Sequence, residues 1–402
     1  MSNIKLKKIC NIIAIILFLN CFLNPVIPET EFGDVTKYLL IVYFTISLFD
    51  RFRNVHFHEI LSLNNILLVG VLLILGLNLF RLNAFSFSTF SAYTITILSI
   101  IVFTSYTLDE EKMQFVIKSG LVISCMVLMC LFIKIYFVGD FNRMDFFFLG
   151  KKFHPNYQTL YLLVPLLLGY NMLDCYIGKF NNIFTKIVIV DFVLGLFVIF
   201  KMQTRTLLLV YCLTAIWFIS KKIVELKNKN KLKKFLLINK RKIYFFLSII
   251  SILLIVLIVK DSRLIDIYSL LTDHGSGRTD LWLFAIDLSV ERFNLLGIGM
   301  TEYLSSSYNY FININQYLVN MVPHNAFISL LIDCGFIGAS LFITYLVRIM
   351  AKCFKQNKWD IIYYADILIC MCLVDGFTTP YIFVMIIFAH YVCKTKEAYY
   401  HA

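Results

Sequence analysis

Residues 205–259 read RTLLLVYCLTAIWFIS (205–220), KKIVELKNKNKLKKFLLINKRK (221–242) and IYFFLSIISILLIVLIV (243–259). Two apolar runs flank a block holding ten Lys/Arg: Lys221, Lys222, Lys227, Lys229, Lys231, Lys233, Lys234, Lys240, Arg241 and Lys242. Each run approaches the roughly 20 residues that a helix needs to cross about 30 Å of hydrocarbon. A basic block set directly between such runs marks a cytoplasmic loop beside anionic headgroups. This stretch decides the fold class: an all-α polytopic membrane protein.

The rest of the chain repeats the pattern. Of 402 residues, 60% are hydrophobic, 39 of them Phe, and 15% are charged, against about 25% in soluble domains. Mean hydropathy is +0.79. Apolar runs at 9–28, 36–49, 60–80, 86–108, 114–138, 157–174, 183–200, 205–220, 243–259, 325–347, 361–374 and 378–393 predict about twelve spans. The first run follows Lys5, Lys7 and Lys8 without a small-x-small cleavage site, so it reads as a retained span.

With the N-terminus in the cytoplasm, the basic residues alternate with the spans. Inner loops then hold Arg51 and Arg53, Lys112 and Lys118, Lys179 and Lys186, the ten-charge block, and Arg348, Lys352, Lys355 and Lys358. Lys394 and Lys396 place the C-terminus inside as well. The formal net charge of +12 is thus a topology signal, and no nucleic-acid partner is expected. Residues 1–402 form one integral membrane domain, with 221–242 a basic cytoplasmic loop and 261–323 a large extracytoplasmic loop. Most of the eleven Cys fall inside apolar runs, where they act as small hydrophobes. Cys370-Met371-Cys372 lacks the spacing of a zinc or redox motif, and neither a metal nor a cofactor is implied.

The segment 261–325 concentrates the polar chemistry. Leu281, Trp282, Ala285, Ile286 and Leu288 recur at helical spacing, which predicts a short amphipathic helix on the outer membrane surface. Ser305 to Tyr317, including Tyr308 and Tyr310, is polar and aromatic; it suits carbohydrate contact or a loop at the headgroups equally well. Arg205 opens a span after a short connection, Arg278 follows Gly277, and Arg292 lies farther along. A guanidinium binds phosphate in a forked geometry, although Arg at a span end also snorkels to headgroups without further role. His324, with an unperturbed pKa near 6.5, is the best candidate base, unless it merely caps the following span with Asn325. His154, before Pro155 on the same predicted side, carries the same ambiguity.

At these residues the chain resembles the O-antigen polymerase and O-antigen ligase family of bacterial envelope proteins. The resemblance rests on Gln203-Thr204-Arg205-Thr206, Gly277-Arg278-Thr279-Asp280-Leu281-Trp282, Gly297-Ile298-Gly299, Pro323-His324-Asn325-Ala326-Phe327-Ile328 and Gly335-Phe336-Ile337-Gly338. It implies glycan transfer from undecaprenyl pyrophosphate on the outer leaflet of the bacterial plasma membrane, without metal or nucleotide sugar. Carried over, Arg205 and Arg278 would hold the donor pyrophosphate, His324 would deprotonate the acceptor hydroxyl, and Asn325 would position it. Arg292, His154, Tyr308 and Tyr310 are further substrate-binding candidates. The implied partners are the undecaprenyl-pyrophosphate-linked oligosaccharide, membrane lipids, a chain-length regulator and a flippase.

Three functions remain in competition. A polymerase and a ligase share the donor chemistry and differ in acceptor. A flippase for the same lipid-linked unit would also suit twelve spans. Transporters, however, carry ionisable residues near the midplane and internal repeats, whereas here Asp191 is a rare mid-span charge and the polar mass lies outside.

Overall fold

The computed structural model describes residues 62–81, 87–105, 110–138, 147–148, 151–152, 162–176, 183–202, 204–228, 277–373 and 385–390, with single helical positions between 9 and 42. These residues are mostly helical. Their elements are α1 (Leu63–Arg81), α2 (Phe87–Ser105), α3 (Glu110–Phe137), α4 (Leu163–Tyr176), α5 (Ile183–Met202), α6 (Arg205–Asn228), α7 (Arg278–Glu291), α8 (Met300–Phe311), α9 (Ala326–Gln356) and α10 (Ile361–Leu373). A two-residue antiparallel pair joins Phe147–Phe148 to Lys151–Lys152. The runs expected at 36–49 and 243–259, and most of those at 9–28 and 378–393, lie outside the described residues.

Among the described residues, five helices are long and apolar enough to cross a membrane: Leu63–Arg81, Gln114–Phe137, Ile183–Met202, Thr206–Glu225 and Ala326–Gln356. Eight of the expected runs coincide with helices, within a few residues at most ends. Two differ in a way that matters. First, α6 continues to Asn228, so the basic segment expected as a loop from 221 begins as helix. There Lys222 pairs with Glu225 at 2.8 Å and the Lys221 ammonium lies 5.8 Å from the Tyr170 ring centre. Second, the run expected as one span at 325–347 is two helical pieces, broken at Gly335 (φ 67, ψ −172) and extended to Gln356.

The bundle has a distinct basic end. The Trp217 indole donates to the Trp359 carbonyl at 2.9 Å, tying α6 to the turn after α9 and placing Lys221, Lys222 and Lys358 at one level. Arg348 donates to Asn64 at 3.0 Å, while at the far end of the same pair Asn78 donates to the Asp333 carbonyl at 2.7 Å. Helices α1 and α9 are therefore antiparallel, and Arg81 closes α1 at the end opposite Arg348.

The break in α9 is held by partners distant in sequence. Its interruption frees the Ile332 carbonyl, which accepts from Ile298 N and Gly299 N at 2.9 and 3.0 Å. The amides of Phe336 and Ile337 donate instead to the carbonyls of Asn294 and Leu295. Only glycine fits at 335: its φ is left-handed, and a Cβ there would enter the Leu295 backbone. Gly297 meets the Asp333 carbonyl in the same backbone-on-backbone contact. Asn78 also donates to the Leu296 carbonyl at 2.5 Å, and Arg81 donates to the Gly297 carbonyl. The turn 294–299 is thus clasped between α1 and the break in α9.

Candidate functional site

Helix α7 starts from Gly277, a left-handed N-cap with φ 75 and no side-chain cap. The Leu318 side chain packs directly over Gly277, leaving no room for a Cβ. Leu281, Phe311 and Leu318 form one small core, with Trp282 packed against it. The first residue of the helix is Arg278, half-buried. One turn on, the Trp282 indole donates to the Pro323 carbonyl at 2.5 Å. Residues four apart on a helix have Cβ atoms about 5–6 Å apart, so Arg278 stands a single turn from the contact that fixes the residue before His324.

His324 has φ 48, a left-handed conformation that an L-residue holds only when its surroundings over-determine it. Those surroundings are visible on both sides. Pro323 is tied by Trp282. Asn325 N-caps α9, its Oδ1 accepting from Phe327 N at 2.9 Å and Ile328 N at 3.2 Å. The cap belongs to Asn325, so capping does not account for the histidine. The same bonds occupy the Asn325 carbonyl oxygen and leave its amide group as the donor available to a ligand.

Arg205 is the first residue of α6. Helix α6 rises about 18 Å from Arg205 to Trp217, whereas His324 precedes the whole of α9 (Ala326–Gln356), so the Trp217–Trp359 tie does not bring Arg205 and His324 together. Arg292 is placed otherwise: it pairs with Glu302 at 2.5 Å and donates to Ser306 Oγ at 3.2 Å, bracing α7 against α8 on the surface. The stretch expected as a polar loop from Ser305 is helical to Phe311. On it Tyr308 and Tyr310 are exposed, and the Tyr310 ring lies 4.8 Å from that of Phe284. His154 lies outside the described residues.

The amphipathic stripe read from the sequence divides differently in three dimensions. Leu281, Ala285 and Leu288 are buried, with Ala285 and Leu288 packed against Tyr303 and Ile332, so that stripe faces protein and not membrane; Ile286 points outward.

Several residues of the assembly escaped sequence reading. Asp333, buried at the break, accepts from the Tyr93 hydroxyl at 3.0 Å and from Met300 N at 3.1 Å. Its carboxylate thereby supplies α8 with the N-terminal cap that Gly299 cannot. Asn294, also buried, accepts from Gly297 N at 2.7 Å and donates to the Leu331 carbonyl at 3.0 Å. Polar residues at the edge of or inside apolar runs (Asn78, Arg81, Asp333) were the available signal. Asp191 is likewise not alone in the bundle interior: Asp366 is buried in α10 and accepts from Thr214 at 2.5 Å. Mid-span acids are more numerous than expected.

Compared with known protein families, residues 191–343 match a family model described as O-antigen ligase. The match begins in α5, takes in Arg205, Arg278, His324 and Asn325, and ends in α9 before Arg348. No curated protein matches the chain.

Proposed function

We propose, from the O-antigen ligase match over residues 191–343, that this multi-pass membrane protein is a glycosyltransferase acting on a polyprenyl-pyrophosphate-linked donor. In this reading it is a polysaccharide polymerase that joins lipid-linked repeat units. The observation that carries the reading is the Trp282–Pro323 bond, which couples the Arg278 turn of α7 to the strained His324 at the head of α9.

Each residue type answers a demand of the reaction. A pyrophosphate leaving group gathers negative charge as the glycosidic C–O bond breaks, and the guanidiniums of Arg278 and Arg205 stabilise it. The acceptor sugar hydroxyl, a poor nucleophile at neutral pH, gives its proton to His324 as its oxygen attacks the anomeric carbon. The products are one longer lipid-linked glycan and the released polyprenyl pyrophosphate. Asn325 orients the acceptor through its amide group, and Tyr308 and Tyr310 offer aromatic faces to sugar rings. Arg292, engaged with Glu302, has a bracing role in this scheme. The positive-inside rule assigns the Lys-rich end to the cytoplasm, which puts the site on the outer face of the plasma membrane and both termini inside. Undecaprenyl pyrophosphate is the donor lipid, and a chain-length regulator and a flippase are the accessory partners.

A second reading, transfer of finished glycan to a different acceptor, is favoured by the description of the matched family itself. Mass analysis of lipid-linked glycans after deletion of the gene separates the readings. Single repeat units on the outer leaflet with no polymer support the polymerase. Long polymer retained on lipid supports the ligase. Units trapped on the inner leaflet indicate a flippase and end the catalytic role of His324.

A further inference from the structure

We propose that the glycan handled by this protein is electrically neutral: its repeat unit carries no uronic acid, phosphate or other acidic substituent, and it lies along the exposed face of residues 308–320. The proposal rests on the glycan-transfer reading above and names the substrate class of that reaction.

Charge is the first argument. Residues 261–325 carry seven Asp/Glu against three Arg and no Lys, in a chain of formal net charge +12. The positive-inside rule acts on loops of up to about 60 residues, so it does not by itself clear Lys from a segment of this length. From Tyr303 to Ile332 there is no Lys, Arg, Asp or Glu at all. Among the described residues of the segment, the cations are Arg278 and Arg292. Arg292 is paired with Glu302 at 2.5 Å, and Arg278 is assigned to the pyrophosphate. Asp287 and Glu291 stay exposed on α7. An acidic sugar would meet like charge here, and no further guanidinium to bind it.

The face offers what an uncharged sugar chain needs. Tyr308, Tyr310 and Tyr317 are exposed, and Asn309, Asn313 and Asn320 are exposed among them. The C–H face of a pyranose packs on an aromatic ring, while amides give both donors and acceptors to its hydroxyls. Tyr with Asn makes contact area and adaptable hydrogen bonds without ions. The frame is held in place. The Tyr310 ring packs against Phe284 at 4.8 Å and Phe311 at 4.9 Å. Asn315 Oδ1 accepts from Tyr317 N at 3.1 Å, which fixes the turn that presents Tyr317.

This face is continuous with the candidate site. Tyr317 precedes Leu318, whose side chain covers Gly277 beside Arg278. The same strand of chain then reaches Pro323, tied by Trp282, and His324. A surface lying on anionic headgroups carries Lys or Arg; this one has neither.

The test starts from the lipid-linked glycan that accumulates when the gene is deleted in its host. The glycan is analysed intact by mass spectrometry and, after mild-acid release, by anion-exchange chromatography. A neutral saccharide, whatever its length, is the expected result. A hexuronic acid, phosphate or carboxylate substituent would overturn the proposal and leave the transferase reading standing. No accumulation would remove the transferase reading, and the proposal with it. The same extract then serves as substrate for purified protein. Tyr317→Ala should raise KM about ten-fold, with kcat and helical circular dichroism near wild type, and Tyr317→Phe should keep the wild-type KM. An unchanged KM for Tyr317→Ala would take the glycan off this face and overturn the proposal as well.

Discussion

The indole N–H of Trp282 and the carbonyl of Pro323 meet at 2.5 Å across 41 residues of chain, joining the helix that starts at Arg278 to the helix that starts after His324. Trp282→Phe keeps an aromatic ring in the small core of Leu281, Phe311 and Leu318 but removes the donor. A buried carbonyl left unpaired costs about 1–3 kcal/mol, so glycan transfer by reconstituted protein should fall by roughly ten-fold or more. The helical circular dichroism should stay unchanged. A variant as active as wild type would remove the bond from the argument for the site.

Arg278, which opens α7, and Arg292, which caps its C-terminus, should behave differently. Arg278→Ala should lower transfer by about 10²–10³-fold if its guanidinium faces the leaving pyrophosphate. Arg278→Lys should recover only part of this, because an ammonium cannot reproduce the forked contact. Arg292→Ala breaks an exposed pair with Glu302, worth about 0.2–1 kcal/mol of stability, and should leave turnover near wild type. Equal losses for Arg278→Ala and Arg292→Ala would contradict this division.

Gly335→Ala should lower the thermal midpoint in detergent sharply. The residue has φ 67, and a Cβ there would run into the Leu295 backbone; left-handed strain in a residue with a side chain is of order 1–3 kcal/mol before that clash is added. Gly76→Ala is the matched control. It lies inside α1, where a Cβ meets only Phe90 at 3.9 Å, and alanine favours the helix by about 1 kcal/mol over glycine. A similar midpoint for the two variants would mean that the break at 335 is not specified by its glycine.

Much of the bundle was legible in the sequence because hydrocarbon thickness imposes run length, and length alone located α1, α5 and the start of α9. The Gly277-Arg278…Trp282 and Pro323-His324-Asn325 motifs were legible too, but not the bond between them, since nothing local in either motif names its partner. The break at Gly335 was hidden for a related reason. Residues 325–347 are apolar throughout, and the carbonyls that replace the missing helical bonds come from 294 and 295. Helix α7 shows a different limit. Its spacing announced an apolar stripe correctly, yet both Leu281 and Leu283 are leucines, and composition cannot tell a face that meets Phe311 from one that meets solvent or lipid.

Tyr303 sets the alkaline limit of the segment outside the spans. It is buried between α7 and the break in α9, and burial raises the pKa of its phenol above the ordinary value, which is near 10. Among the described residues its hydroxyl has no hydrogen-bond partner. Since the folded-state pKa lies above the unfolded one, the neutral phenol's contribution is complete below about pH 10 and is lost as pH rises above it. Stability should therefore be flat in this respect through neutrality and fall in strong alkali. Tyr303→Phe removes an unpaired buried hydroxyl together with the titration, so it should be at least as stable at pH 7 and should keep its fold to higher pH than wild type. Thermal midpoints of both proteins in detergent between pH 7 and 11 provide the check. If the two lose stability in parallel above pH 10, the alkaline transition belongs to another group and the burial of this phenol does not govern it.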